Sequence, residues 1–284
     1  MDTSFLLSSC KPHRMDNLDS MFGSDDEDEQ NENGMANRPE SCGVLKFHNG
    51  TEDALYHYVV GKAAQGDVSA ILKTIDEFCY TQHWMMHIGD QKLQHLRSSL
   101  DKARENSPTG SHLCVTELGS YCGYSAIYLG SLLDKSRGDH LFCIEADPKC
   151  VGWTRRMIAH ANLQDVVTVV ATPASEVDIW HKELSKDHID VLFIDHDKSQ
   201  YLNDLLRIEK AGLLNAGSVV VADNVLSFGI PLTEYLDHVR DPNGLYSSSK
   251  LHEGFIEYAS GEHASLNPSE NANLVDGVEI SIYK

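Results

Sequence analysis

Two short apolar runs end in oxygen donors. Residues 191–194 are followed by Asp195-His196-Asp197-Lys198, and residues 218–222 by Asp223-Asn224. Asp195, Asp223 and the amide oxygen of Asn224 are hard ligands, and an oxygen-rich, incomplete set of this kind suits Mg²⁺, which keeps positions open for water or substrate. Lys198 follows the first of them by three residues. An amine beside a bound cation is favoured in its neutral form, which makes Lys198 a candidate general base. Either acidic strand end alone reads equally well as a helix cap. Both together with a lysine do not.

Another cluster is Glu117-Leu118-Gly119-Ser120-Tyr121-Cys122-Gly123-Tyr124-Ser125 at the end of the apolar run 113–118. It reads as a strand-to-helix turn in which two glycines let a backbone approach a ligand closely. The run 141–144 ends at Glu145, about 20 residues past the second glycine, where open α/β folds hold ribose hydroxyls. Glycine spacing separates the candidate ligands. A dinucleotide turn needs GxGxxG, whereas this one reads Glu-x-Gly-x-x-x-Gly and offers no pyrophosphate cradle. A nucleoside lacking phosphates, such as S-adenosylmethionine, fits better. The plain alternative is that the glycines only pack helix on strand.

These residues need strands to present them. Apolar runs at 113–118, 141–144, 166–170, 191–194 and 218–222 read as buried parallel strands. Helix-length segments at 125–133, 149–161 and 200–213 lie between them, the spacing of right-handed βαβ crossovers. Before the first strand, apolar residues recur at helical spacing three times: Leu55, Tyr56, Val59 and Val60 behind the cap-forming Thr51-Glu52-Asp53; Ile71, Leu72, Ile75 and Phe78 behind Asp67; and Leu93, Leu96 and Leu100 behind Gly89. Residues 275–283 alternate as a last strand, with 255–258 as its hairpin partner. The expected fold class is α/β: a doubly wound, Rossmann-like sheet with helices on both faces and a C-terminal antiparallel strand pair.

The chain has 284 residues, with 43 acidic against 23 Lys and Arg, for a net charge of −20. Such a surface repels phosphate backbones and anionic lipid, so neither nucleic acid nor membrane is an expected partner. Residues 1–46 hold Asp25-Asp26-Glu27-Asp28-Glu29 and show no helical or strand period. They read as a disordered acidic arm ahead of a single domain at 47–284. Seven cysteines without a CxxC pair suit reduced, buried thiols, and the N-terminus lacks a signal or spanning segment. A cytosolic monomer is the expectation.

Taken in order, Trp84-Met85-Met86-His87-Ile88-Gly89-Asp90, the Glu117–Ser125 turn continued by Ala126, Ile144-Glu145, Asp195-His196-x-Lys198-x-x-Tyr201, Ala222-Asp223-Asn224 and Val275-Asp276-Gly277-Val278-Glu279 resemble the catechol O-methyltransferase family over roughly residues 52–284. The resemblance implies Mg²⁺ on Asp195, Asp223 and Asn224, Lys198 as the base, and Glu257 as acceptor from the second catechol hydroxyl. It implies S-adenosylmethionine held by Glu145 at the ribose and by Ile88, Gly119, Tyr121 and Ser125 at the methionine end. His196, Ala174 and Ser175 would lie at the adenine, although Ala171-Thr172-Pro173 carries one extra residue, and Glu117 and Asp195 would be further cofactor contacts. Trp84 and Met86 would wall the substrate, a small molecule, with Lys198, Asn224 and Glu257 touching it.

Two positions depart from the family at the substrate gate: Asp197 stands where a Trp is usual, and Phe228 where a Pro is. Asp197 is left with three roles: approaching the metal, binding a substrate amine, or pointing into water. Phe228 would stack on the substrate ring. The polar connection 260–273 is longer than usual and reads as a surface loop or, less readily, a lid. Competing functions are methylation of other vicinal hydroxyls (caffeoyl esters or flavonoids), a non-catalytic binding protein, and a nicotinamide-dependent dehydrogenase. The full set of base and metal donors argues against the second, the glycine spacing against the third.

Overall fold

The computed structural model describes residues 50–226, 232–255, 257–258 and 275–284. The acidic arm, Phe228 and the connection 260–273 lie outside the described residues.

Three helices precede the first strand among the described residues. Helix α1 (Thr51–Lys62) starts at Gly50, which has φ 91° and makes no side-chain cap, so the expected cap from Thr51 is not used. Leu55 and Val59 turn inward while Val60 is exposed, and Glu52 is buried. Asp67 caps α2 (Val68–Thr81) by accepting from Ala70 N at 3.0 Å, and Ile71, Ile75 and Phe78 bury its apolar face. In α3 (Leu93–Asn106) the inward stripe is Leu96, Ser99, Leu100 and Ala103.

The alternating part follows as β1 (Cys114–Leu118), α4 (Tyr124–Leu132), β2 (His140–Glu145), α5 (Pro148–His160), β3 (Val167–Ala171), α6 (Val177–Trp180), β4 (Ile189–Ile194), α7 (Tyr201–Lys210), β5 (Leu214–Ala222), α8 (Thr233–Arg240), β6 (Tyr246–Phe255) and β7 (Asp276–Tyr283). The sheet order is β3-β2-β1-β4-β5-β7-β6. β1 to β5 pair in parallel, β7 runs antiparallel to β5, and β6 antiparallel to β7. Strand order therefore reverses between β1 and β4, the switch point where open α/β sheets bind ligands.

Side chains of successive strand residues point to opposite faces, and the core divides accordingly. Val115, Cys143, Val191, Phe193 and Val221 face a cluster with Leu55, Ile75, Leu96, Leu129 and Trp153 from the first five helices. Leu118, Ile144, Leu192, Ile194 and Ala222 face Trp180, Tyr201, Leu205 and Tyr235 on the other side. Two covered faces explain why the strands read as continuous apolar runs. Cys79, Cys114, Cys122, Cys143 and Cys150 are free and buried, as expected. No described helix is long and apolar enough to cross a membrane.

The expected hairpin partner at 255–258 is corrected. The strand paired with β7 is Tyr246–Phe255, and only Phe255, opposite Asp276, belongs to the expected segment. β6 is the sheet edge and its residues are mostly exposed or half-buried. The run Ser247-Ser248-Ser249-Lys250 therefore carries no apolar alternation from which a strand could be read.

Candidate active site

The ends of β1, β2 and β4 are laced together. Gly119 N donates to Ile144 O and Asp195 N to Leu118 O, each at 2.9 Å. Gly119 has φ +85°, and a Cβ there would lie 2.7 Å from Asp195 O and 2.9 Å from the His196 Cα. The glycine is thus needed for the β1 and β4 loops to touch one another. Glu145 is fixed by backbone donors: Oε2 accepts from Ser120 N at 3.0 Å and Tyr121 N at 3.1 Å, and Oε1 from Asp147 N at 2.9 Å. Tyr121 has φ 47° and donates through its hydroxyl to the buried Glu52 of α1.

Behind this loop Ser125 Oγ donates to the fully buried Glu117. Burial pushes the Glu117 carboxyl up to about 7, against the opposing pull of Ser125 and Cys143. Ile88 is 2% exposed beside His87, whose ring lies 5.5 Å from that of Tyr121 and 5.3 Å from that of Tyr124. Burial holds the His87 imidazole down at about 3, and its Nε2 has no hydrogen-bond partner among the described residues.

At the end of β4, Lys198 Nζ donates to Asp195 Oδ1 at 3.0 Å and to Tyr201 OH at 2.9 Å, and the Tyr201 hydroxyl donates to Asp223 O at 3.2 Å. His196 stacks on Tyr201 at 5.3 Å, and its Nε2 lies 2.9 Å from Asp204 Oδ2. Asp197 caps the turn Lys198–Gln200, accepting from Ser199 N at 3.0 Å and Ser199 Oγ at 2.8 Å in an exposed position.

At the end of β5 a four-way buried cluster forms. Lys92 Nζ donates to Asp223 Oδ1 at 2.6 Å, Glu257 Oε1 at 2.5 Å and Asp276 Oδ2 at 2.6 Å. Asn224, at φ 55°, donates through Nδ2 to Glu257 Oε1 at 2.8 Å and Asp276 Oδ2 at 2.6 Å. Oxygens of Asp223, Glu257 and Asp276 lie within 4.8 Å of one another, a grouping able to hold a cation. Asp223 Oδ2 and Asp276 Oδ1 are buried without hydrogen-bond partners among the described residues. Burial raises the carboxyls of Asp223 and Glu257 against the pull of Lys92. Burial opposes ionisation of Asp276 too, but Lys92, Gly277 N and Asn224 outweigh it and hold that carboxyl low. For Lys92 itself burial works against the charge, and the three carboxylates outweigh burial, so the ammonium is held well above its usual range.

The strand-end chemistry has counterparts in known proteins. A family profile described as a methyltransferase domain matches residues 116–225. Catechol O-methyltransferase of Bos taurus is 34% identical over 234 residues, covering 82% of this chain and 76% of that one. The chain belongs to the catechol O-methyltransferase family. It is therefore an O-methyltransferase. The Mus musculus catechol O-methyltransferase agrees at 32% identity over 82% of this chain and 78% of its own. Among solved structures, an O-methyltransferase from Bacillus cereus in complex with SAH covers 81% of this chain and 97% of its own at 20% identity and a TM-score of 0.55, a likeness of fold.

Set beside the family's expected site, the structure groups Glu117, Gly119, Tyr121, Ser125 and Glu145 around one loop. It also groups Lys198 with Asp195, and Asp223 and Asn224 with Glu257. The Asp195 carboxylate is engaged by Lys198 and does not belong to the buried carboxylate trio. Trp84 is 8% exposed with an indole N–H that has no partner among the described residues, Met86 is half-buried, Ala174 is buried and accepts from Trp180 Nε1 at 2.9 Å, and Ser175 is exposed. Of the three roles open to Asp197, the structure uses its carboxylate as a turn cap in solvent. Lys92 escaped the sequence reading, and His87 and Asp276 entered it only within the matched blocks, with no role given to them. The signal for Lys92 was present: it stands four residues before Leu96, a cation in line with the apolar stripe of α3.

Proposed function

We propose that the chain transfers a methyl group from S-adenosylmethionine to one hydroxyl of a catechol, with Mg²⁺ on Asp195, Asp223 and Asn224 and with Lys198 as general base. One juxtaposition carries this reading: Lys198 and Asp195 at the end of β4 are joined through Tyr201 to Asp223 at the end of β5. The donor set fits a hard cation, since it is built of oxygens and Asp223 Oδ2 is buried with no partner among the described residues. Bound there, Mg²⁺ supplies a Lewis acid that makes a chelated hydroxyl more acidic. Lys198 stands to take that proton, and Glu257 to accept from the second hydroxyl.

Because the donor methyl is already activated, the protein contributes mainly alignment, which supplies roughly 7 to 11 kcal/mol of barrier reduction in well-oriented reactions. Glu145 and the loop it fixes serve that alignment. Glu145→Ala is expected to weaken S-adenosylmethionine binding by about 1 to 3 kcal/mol, the range for lost bonds to a charged group. Isothermal calorimetry giving an unchanged Kd sinks the assignment.

The decisive experiment is product detection by mass spectrometry after incubation with S-adenosylmethionine, Mg²⁺ and 3,4-dihydroxybenzoate, beside an identical sample with excess chelator. A methylated product that disappears on chelation supports both the reaction and its metal dependence. Cofactor binding without product in either sample overturns the catechol reading.

A second substrate class stays open at Asp197. Its carboxylate is exposed and capping, so it offers no apolar wall where the family usually has a Trp, and this favours vicinal hydroxyls on larger molecules. Asp197→Trp is expected to raise kcat/KM for simple catechols relative to caffeoyl esters. An unchanged ratio refutes the gate reading.

A further inference from the structure

Lys92 has no place in the chemistry proposed above, yet it sits at the centre of the buried cluster. It closes the single 3-10 turn Asp90–Lys92 ahead of α3, and its side chain is 1% exposed. An ammonium has three hydrogens to donate. Here they go to three carboxylates, each from a different part of the chain: Asp223 after β5, Glu257 beyond β6 and Asp276 at the start of β7. Asn224 Nδ2 donates to the same oxygens of Glu257 and Asp276 that Lys92 uses. One oxygen of each of those two carboxylates is thereby fixed by a pair of donors, whereas Asp223 Oδ1 has Lys92 as its side-chain donor; Asp223 Oδ2 and Asp276 Oδ1 are buried with no partner among the described residues.

We infer that Lys92 is a built-in counter-cation and positioning residue: it fixes Glu257 and Asp276 and cancels charge in the cluster, so that the cluster takes up a single divalent ion at Asp223 and Asn224. Asp223, Glu257 and Asp276 bring three formal negative charges to the cluster, and Lys92 brings one positive one. The remainder equals the charge of one divalent cation. Without Lys92 the buried carboxylates lose their only lysine partner among the described residues, and three like charges this close repel strongly in a dry site. The tethered ammonium keeps the cluster assembled whether or not a metal is present, and Glu257 keeps its orientation through the catalytic cycle. This inference rests on the divalent-cation reading of the site.

The test uses the full chain without cofactor, Mg²⁺ titration by calorimetry and thermal melts in chelator and in Mg²⁺. Lys92→Met is expected to melt lower than the parent in chelator, to recover with Mg²⁺, and to bind Mg²⁺ about tenfold or more tighter, since a repelling cation has been removed. The double variant Lys92→Met, Asp276→Asn removes a negative charge with the positive one. It is expected to regain parental melting and a Mg²⁺ affinity within about threefold of the parent. A purely structural lysine predicts the reverse: Mg²⁺ binding unchanged or weakened in the single variant, and no rescue in the double one, and that pattern overturns the inference. Should the single variant fail to fold, the double variant decides alone: parental behaviour supports the counter-cation and equal damage refutes it. A parent chain that takes up no Mg²⁺ removes the metal reading, and the counter-cation role then stands or falls on whether the double variant recovers the melting temperature.

Discussion

Lys198→Met is expected to lower kcat by about 10²- to 10⁴-fold, the range that loss of a positioned general base produces, with S-adenosylmethionine affinity unchanged. Two bonds hold the Lys198 amine, to Asp195 Oδ1 at 3.0 Å and Tyr201 OH at 2.9 Å, and the side chain is 15% exposed. That leaves it partly open to solvent at the end of β4 rather than in the core. Met preserves the length and apolar stem while deleting the nitrogen, so packing on Tyr201 survives. Steady-state kinetics with 3,4-dihydroxybenzoate measure the loss, and calorimetry measures cofactor binding in the same preparation. Full activity in Lys198→Met removes the residue as base. Loss of activity together with loss of cofactor binding assigns it instead to the architecture of the β4 loop.

The sheet was legible because both its faces are covered. Strands buried on two sides leave unbroken apolar runs such as 191–194, and the helices between them carry 3.6-residue stripes. The same physics hid the exceptions. β6 lies at the sheet edge with polar residues on both faces, so neither periodicity nor apolar content marks it. Gly50 opens α1 by a left-handed backbone conformation, which leaves Thr51 unused as a cap.

The candidate site was legible one loop at a time. Glu117, Gly119, Glu145, Asp195, Lys198, Asp223 and Asn224 all fall at strand ends, where local pattern suffices to place them. Their partners do not follow from local pattern. Lys92 lies 131 residues from Asp223 and 184 from Asp276 in sequence, and only the tertiary fold brings the turn ahead of α3 within hydrogen-bond distance of both. A buried lysine is read from sequence as a surface residue unless its carboxylates are already known. Gly119 shows the converse case: the need for glycine was legible, and the close backbone of Asp195 and His196 supplies a cause that local pattern does not contain.

Glu117→Gln is expected to stabilise the chain above neutral pH while weakening cofactor binding. Burial pushes the Glu117 carboxyl up to about 7 from an ordinary 4.5. Between those two values the unfolded chain releases the proton and the folded chain retains it, so the folded state loses stability as pH rises from about 4.5 to 7, and the loss stays constant above that. A displacement of this size corresponds to about 3 kcal/mol at pH 8, given 1.36 kcal/mol per unit. Gln is neutral at every pH and still accepts from Ser125 Oγ, so the variant escapes the loss. Its melting temperature should match the parent near pH 4.5 and exceed it by about 6 to 12 °C at pH 8, at 2 to 4 °C per kcal/mol for a chain of this size. A melting difference that does not change with pH shows that Glu117 titrates normally. The expected gain also gives a reason for a buried carboxyl that opposes folding: Glu117 backs the loop proposed to carry the methionine end of the cofactor, and negative charge there is useful only when a cation is bound.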